Sequence, residues 1–204
     1  DRTSRGLGDV YKRQSYIVAR NSKSDDNLIL YGGEGADEIF LGYECYRNLK
    51  NQFSDYNGIT QKFTFDKDLN QRVCSGKTES YINNFKESTS EFLASQNVFD
   101  PIQLKIKVES FVDIFIQLNN VGLMSTDTVN SDLGIECRTP FVRKKLMNFA
   151  ISSPINKLIN FDPKFRANKV PIREKFIDYF GENSIMPKIG FAGFPNETMA
   201  YLSL

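Results

Sequence analysis

Residues 28–43, LILYGGEGADEIFLGY, constrain the fold of this chain more than any other stretch. Four apolar residues end in two glycines, and a glutamate, a third glycine and an Asp–Glu pair precede the next apolar residues. A short run that is apolar at every position is typical of a strand buried on both faces in a parallel sheet. We therefore predict a buried strand over 28–31, a glycine turn, and a helix over 36–49.

The glycine turn has the features of a nucleotide site. Glycines let a backbone come close to a phosphate, and the amides at a helix N-terminus point toward it. Glu34, Asp37 and Glu38 would repel a bare phosphate, but Mg²⁺ bridges carboxylates and phosphate oxygens. A carboxylate that the metal does not need could act as a general base. The alternative is an ordinary strand–helix turn whose acidic residues favour the helix dipole, and spacing alone leaves both open.

Composition narrows the chemistry further. The 204 residues suit one ordinary domain, and a net charge of +1 gives no global reason to bind nucleic acid or a membrane surface. The chain has no histidine, which excludes histidine-based triads, and its three scattered cysteines suggest neither a disulfide framework nor a zinc site. We expect a cytoplasmic protein whose chemistry depends on carboxylates, lysine, arginine and backbone amides.

Helical spacing of apolar residues dominates the rest of the chain. Helices are predicted over 15–24, 77–95, 104–118, 144–152 and 169–180. The first should place Tyr16, Ile17 and Val18 inside, and the helix over 36–49 should place Ile39, Phe40, Tyr43 and Tyr46 on one side.

Residues 50–75 give no clear pattern. The strand over 28–31 is therefore the one convincing strand that the sequence predicts. A sheet needs more than one strand. Its partners lie either in the ambiguous parts or in sequence upstream, and the unusual start of the chain favours the second option. That start, DRTSRGLGDVYKRQ, lacks an apolar period and resembles translated sequencing adapter. We expect residues 1–14 to be foreign and residues 15–204 to be a partial domain; a frayed polar N-terminus is the alternative.

Four blocks of the sequence resemble one known family, in its order. GGEGADEIFLGY resembles the S-G-E/D-G-A/S-D-E-x-F-G-G-Y segment of glutamine-hydrolysing asparagine synthetases. Residues 127–142, DTVNSDLGIECRTPFV, resemble the family's D-R-x-S-M-A-x-S-L/G-E-x-R-x-P-F-L stretch. KVPIREKF, from Lys169, resembles its K-x-x-L-R segment, and PKIGF, from Pro187, resembles its K-x-G-F segment.

The resemblance implies an α/β fold, namely the helix-rich C-terminal part of an ATP-pyrophosphatase-type synthetase domain of the adenine nucleotide alpha hydrolase-like class. It also implies a ligase of asparagine biosynthesis. Such an amidotransferase uses Mg-ATP to convert aspartate to β-aspartyl-AMP and pyrophosphate. Ammonia released from glutamine in a separate N-terminal domain then gives the amide.

Site residues follow from the same resemblance. Gly32 and Gly33 would contact ATP through the backbone, and Asp37 would help to hold Mg²⁺. Glu34 would assist formation of the intermediate or take a proton from the attacking ammonia. Lys188 would stabilise negative charge on phosphate and acyl oxygens. From the residues alone, Lys188 would be an exposed lysine on a turn.

Five further residues in the matching blocks are candidate substrate contacts or structural groups. Glu136 and Arg138 lie in a predicted turn, where a structural ion pair that positions the loop is favoured over substrate contact. Asp127 is a candidate carboxylate on the substrate side, with a surface or capping role as the alternative. Lys169 and Arg173 come from the K-x-x-L-R block.

Departures from the family pattern concern the acceptor more than the nucleotide. They are Gly32 for serine, Leu41 for glycine, Thr128 for arginine, Asn130 and Ser131 in place of a serine–methionine pair, and Arg143 for aspartate. Relatives use the same module to make β-lactams or to amidate sugars and peptides. A sugar or peptide carboxylate of surface polysaccharide or secondary metabolism therefore stays open as the acceptor.

Two parts of the family pattern do not occur in the sequence: an S-G-G-x-D-S pyrophosphate loop and a glutaminase domain with a leading cysteine. We therefore expect the chain alone to lack synthetase activity and to need a glutaminase domain as its partner. A homodimer is among the assemblies left open. An inactive binding module is the remaining alternative, and intact Glu34, Asp37 and Lys188 argue against it.

Overall fold

The computed structural model describes residues 15–23, 29–48, 77–96, 100–161 and 167–185. The predictions for residues 1–14, for residues 50–75 and for Lys188 lie outside these residues. No helix in the described ranges is long and apolar enough to cross a membrane.

Helices make up most of the described chain. The α-helices are α1 (15–22), α2 (Ala36–Ile39), α3 (Glu44–Asn48), α4 (Lys77–Ser95), α5 (Pro101–Val112), α6 (Met124–Asp132), α7 (Lys144–Ser152), α8 (Ile155–Leu158) and α9 (Val170–Phe180). A π-helix (Asp113–Leu123) joins α5 to α6 without a break, and two 3₁₀ turns cover Pro140–Val142 and Glu182–Ser184. The strands are β1 (Ile29–Tyr31), β2 (Glu136–Arg138), β3 (Ile159–Asn160) and β4 (Ala167–Asn168).

The predicted core helix over 104–118 is confirmed as part of this longer helical run. It begins at Pro101, because Asp100 caps it: the Asp100 carboxylate accepts the N–H groups of Ile102 and Gln103 at 2.9 and 3.0 Å. The predicted helices over 77–95 and 144–152 are confirmed with the same bounds, and α9 carries Pro171 in its first turn as expected.

The single helix predicted over 36–49 is wrong. The chain leaves α2 at Phe40, Leu41 takes a left-handed φ of 54°, and the N–H of Gly42 donates to the carbonyl of Asp37 at 2.7 Å. A left-handed residue followed by this hydrogen bond is the Schellman motif, which ends an α-helix. The chain then turns a corner and restarts as α3.

Two short sheets lie in the described residues. β1 and β2 are parallel, with Ile29 opposite Glu136 and Tyr31 opposite Arg138, so the predicted parallel strand is confirmed. Its predicted burial on both faces is wrong for the described chain: Ile29 is 38% and Tyr31 71% exposed, because no described element covers that face. β3 and β4 are antiparallel.

Two other sequence predictions also need correction. Glu136 and Arg138 lie on a strand rather than in a turn, so one partner of β1 was hidden within the chain. In α1, Ala19 is buried and Val18 is 56% exposed, against the prediction that Val18 faces inward. Neighbouring helical positions point about 100° apart, so burial of Ala19 turns Val18 outward.

The core lies where the α2–α3 corner meets α5, the π-helix, α7 and α8. Its buried members are Ile39, Phe40, Leu41, Tyr46, Ile106, Ile114, Ala150, Ile155, Leu158 and Ile159. Because the corner supplies four of these residues, the turn that precedes α2 is attached directly to this core.

Candidate active site

The glycine turn follows β1 at its carboxyl end, beside β2. The N–H of Gly32 donates to the carbonyl of Arg138 at 2.8 Å and so extends the β1–β2 ladder by one bond. Gly35 then takes a left-handed φ of 84°, and a Cβ on it would lie 2.8 Å from a methyl group of Val142. Both the conformation and the space at position 35 therefore require glycine.

Gly33 is the open part of this turn. It is exposed, and a Cβ on it would meet no atom of the described residues within 4 Å. The Gly32 N–H is already engaged by Arg138, so of the two glycines predicted to contact the nucleotide, Gly33 offers the accessible backbone. Helix α2 has only four residues, so the dipole part of the nucleotide argument is weak.

The Glu34 carboxylate folds back over Gly32. Its Oε1 accepts a hydrogen bond from Oγ1 of Thr126 on α6 at 2.9 Å. Its Oε2 is buried and has no partner among the described residues. A side chain on Gly32 would collide with this Oε2, so the absence of a side chain at position 32 leaves room for the carboxylate. Thr126 was missed by sequence reasoning, and its only signal was its position directly before the motif residue Asp127.

Cys137 lies beside this carboxylate, on β2. Its Sγ is 3.3 Å from the Cβ position of Gly32. Burial raises the pKa of the Cys137 thiol, and the negative charge of Glu34 raises it further. Cys137 therefore stays protonated at neutral pH, which is unlike a nucleophilic cysteine.

Asp37 and Lys169 form an ion pair. Nζ of Lys169 lies 3.0 Å from Oδ1 of Asp37, and each side chain is about a quarter exposed. Lys169 precedes α9 and has a left-handed φ of 55°. A side chain on Gly42 would collide with both Oδ1 of Asp37 and Cε of Lys169, so this glycine leaves room for the pair.

The remaining candidate residues lie around these two groups. Arg138 pairs with Glu136 at 2.8 Å, but both side chains are more than half exposed, so water screens the pair and it contributes little to stability. Nε of Arg173 donates to the carbonyl of Asn168 at 2.8 Å, which anchors the start of α9. Asp127 is exposed on α6.

The described residues contain no group of three or more cysteine, aspartate or glutamate side chains arranged to hold a metal. Mg²⁺ needs fewer, since one or two carboxylates and phosphate oxygens complete its shell. Asp37 and the buried Oε2 of Glu34 supply oxygen ligands of the kind Mg²⁺ prefers. The chemistry of these oxygens therefore fits a cation shared with a phosphate, and the Lys169 ammonium is a positive charge already paired with Oδ1 of Asp37.

Comparison with known families agrees with the motifs. The model of the asparagine synthase family matches residues 6–199, which include all four motif blocks. The chain belongs to the asparagine synthase family. Comparisons with curated proteins and with solved structures give no match. The family consists of ligases of the synthetase or amidotransferase kind, and its domains generally bind ATP.

Membership in the asparagine synthase family gives meaning to two departures. Leu41 stands where the family motif has glycine, and its left-handed φ shows why glycine suits that position. Gly32 stands where the motif has serine, and a serine side chain there would displace the Glu34 carboxylate from its place. In this member of the asparagine synthase family, Glu34 and Gly32 therefore depend on each other.

Proposed function

We propose that the chain is part of an ATP-dependent amidotransferase that converts aspartate to asparagine through β-aspartyl-AMP, with ammonia derived from glutamine. One observation carries the proposal: the open backbone of Gly33 is followed directly by a partly buried glutamate at the carboxyl end of a parallel strand. Ligands of open α/β sheets bind at that end of the strands.

Each described residue has a role that its contacts support. The Gly33 backbone would let a phosphate approach closely, and Gly32 would keep the turn attached to β2. Thr126 holds Oε1 of Glu34, so Oε2 is the atom left to accept a proton from the attacking ammonia or to hold the acceptor. Asp37 would hold Mg²⁺, which when bound would offset the negative charge of the phosphates.

The other parts of the proposal rest on the sequence motifs. Lys188 would stabilise negative charge as the acyl group is transferred. Asp127 is exposed, and its charge acts on Cys137 together with that of Glu34. It is the candidate for contact with the acceptor, whereas Arg173, Glu136 and Arg138 are assigned structural roles. We further propose a cytoplasmic location and a glutaminase domain as the ammonia source; a homodimer and the foreign origin of residues 1–14 stay predictions.

Calorimetric titration with stable acyl-sulfamate analogues of acyl-AMP tests this function. We expect the β-aspartyl analogue to bind the 204-residue chain more tightly than analogues that carry a sugar acid or a dipeptide. Gly33→Val should weaken binding, because it fills the open side of the turn. Lys175→Ala, an exposed change on α9, should leave binding unchanged.

Each other outcome points to a different function. Tighter binding of a sugar or peptide analogue would replace aspartate by that acceptor. Equal or absent binding of every analogue, with no effect of Gly33→Val, would favour a binding module without ligase chemistry. We also expect no pyrophosphate release by the chain alone, since its sequence lacks the S-G-G-x-D-S loop; release that depends on ATP and aspartate would overturn that part.

A further inference from the structure

The Asp37–Lys169 pair lies at the carboxylate that the proposed function assigns to the metal. Asp37 is on the first turn of α2, three residues after Glu34, and its Oδ1 is 3.0 Å from the Lys169 ammonium. The charges of Asp37 and Asp113 both act on Glu38, and the charges of all three carboxylates act on the Tyr43 hydroxyl, so the three lie near one another. Lys169 is thus a cation of the protein itself in a locally acidic place.

Asn168 fixes Lys169 in this position. Its side chain is buried, and its Nδ2 donates to the carbonyls of Gly42 and Tyr43 at 3.0 and 3.1 Å. Its Oδ1 accepts a hydrogen bond from Arg47 of α3. These bonds fasten the end of β4 to the corner between α2 and α3. The residue after Asn168 is therefore placed next to Asp37 by the backbone, not only by the reach of a flexible lysine.

Two local features accommodate the Asp37–Lys169 pair: an unfavourable backbone conformation at Lys169 and a missing side chain at Gly42. Lys169 has a left-handed backbone, which disfavours residues with a Cβ. Gly42 is the residue whose missing side chain leaves space for both the Asp37 carboxylate and the Lys169 stem. Strained conformations persist where the surrounding structure enforces them, which is frequent at functional sites.

We infer that Lys169 is a built-in competitor of the divalent cation at Asp37: its ammonium pairs with Oδ1 and weakens cation binding at this carboxylate. The inference rests on the proposed function, because it concerns the same carboxylate. The ammonium already occupies one side of Oδ1, and the positive charge of Lys169 at 3.0 Å lowers the affinity of Asp37 for any second cation. The pair therefore sets the cation concentration at which the site fills.

Mn²⁺ binding to the full 204-residue chain, followed by the electron paramagnetic resonance signal of free Mn²⁺, tests this inference without any need for activity. Lys169→Met keeps the alkyl stem and removes the charge. It should tighten Mn²⁺ binding by about tenfold or more, since one nearby opposite charge shifts the proton affinity of a carboxylate by roughly 1–3 units. Lys169→Gln should act in the same direction if the methionine variant folds poorly.

Matched variants separate this effect from general changes in charge. Lys169→Arg keeps the positive charge and should leave Mn²⁺ binding weak. Lys175→Met removes a lysine from the same helix, where it pairs with Asp178 at 2.8 Å on the exposed face, and should change nothing. Asp37→Asn should abolish the binding.

The results distinguish the inference from the proposed function. Binding that needs Asp37 but is unchanged or weaker in both Lys169→Met and Lys169→Gln overturns the competitor role and leaves the metal role of Asp37 intact. Binding that is the same, or absent, in the native chain and in Asp37→Asn, with no gain in the lysine variants, overturns the competitor role together with the metal role of Asp37; the titration with acyl-AMP analogues then decides the proposed function by itself.

Discussion

Thr126 donates its hydroxyl hydrogen to Oε1 of Glu34 across 2.9 Å and so joins α6 to the turn after β1. The two residues are far apart in sequence, and each lies in or next to a separate motif block. The bond fixes one oxygen of the carboxylate, and the buried Oε2 is the oxygen that has no partner among the described residues. The geometry of Glu34 is thus set by a helix that the glycine motif does not contain.

Thr126→Val removes this donor and keeps the shape of the side chain. We expect the free energy of unfolding to fall by about 1–3 kcal/mol, because a partly buried carboxylate oxygen loses its partner. Urea denaturation measures the change. Thr126→Ser should restore most of it, and Thr128→Val should stay within about 0.5 kcal/mol, since Thr128 is exposed and bonds only within α6. Equal losses for both valine variants would contradict a special role for Thr126.

Leu41 combines a fully buried side chain with a left-handed backbone. Leu41→Ala should destabilise the protein by about 2–5 kcal/mol through lost packing. Leu41→Gly removes one more carbon but relieves the left-handed strain, so it should be more stable than Leu41→Ala by about 1 kcal/mol. At Ala150 in α7, glycine should instead be less stable than alanine by about 1 kcal/mol. Thermal unfolding of the four chains decides this, and an alanine variant at position 41 as stable as the glycine variant would refute the strain.

Because Lys107 is buried, we expect the free energy of unfolding to rise with pH. Its buried Nζ donates to the carbonyls of Ala150 and Ile151 at the end of α7, at 2.8 and 2.9 Å, and burial lowers the pKa of the ammonium to about 8. The unfolded chain has a lysine pKa of about 10.4, so between those values it binds a proton that the folded chain has lost. The neutral amine still has two N–H groups for the two carbonyls. Stability should therefore rise from pH 8 to 10 by about 2 kcal/mol.

The test is the difference in unfolding free energy between the native chain and Lys107→Met, measured from pH 7 to pH 10. The difference cancels opposing groups such as Cys137 and Tyr43, whose raised pKa values lower stability as pH rises. A difference that grows toward pH 10 agrees with the account. A constant difference would show that Lys107 does not change its protonation on folding in this range.

For Glu38 we expect the opposite trend: its contribution to stability falls as pH rises from acid to neutral. Its carboxylate is buried and accepts the Tyr43 hydroxyl at 2.5 Å, and burial raises the pKa of Glu38 above its usual value. A raised folded pKa gives stability that is present at low pH and is lost as pH rises through it. Glu38→Gln keeps an acceptor for Tyr43 without the charge, so it should be at least as stable as the native chain at pH 7. Chemical denaturation should show that this advantage disappears below about pH 4; a less stable glutamine variant at pH 7 would contradict the prediction.

Local patterns were enough for much of the fold. The apolar spacing of Lys144–Ser152 predicts α7 with its observed bounds. The glycines after β1 predict a turn, and the left-handed φ at position 35 does require glycine there. The break at Leu41 could not be predicted, because leucine is a good helix former and its left-handed φ is imposed by the packing of the corner. Glu136–Arg138 has only one apolar residue, so its strand is visible only through pairing with β1.

The candidate site could likewise be predicted only in part from the sequence. Glu34 and Asp37 stand in one continuous motif and could be named from it. Their partners Thr126 and Lys169 come from distant parts of the chain, and no local pattern pairs a residue with a particular distant carboxylate. Sequence motifs thus identified the carboxylates, and only the tertiary structure shows what holds each of them.

The most direct test of the central claim is to map the β-aspartyl-AMP analogue onto the backbone amides of the 15N-labelled chain by nuclear magnetic resonance. We expect the largest shift changes at Gly33 and Glu34, with smaller changes at Thr126 and Asp37. Changes confined to another surface, such as the groove that Lys86 and Ser90 of α4 form with Leu104 of α5, with Gly33 and Glu34 unmoved, would contradict the assignment of the glycine turn as the ligand site.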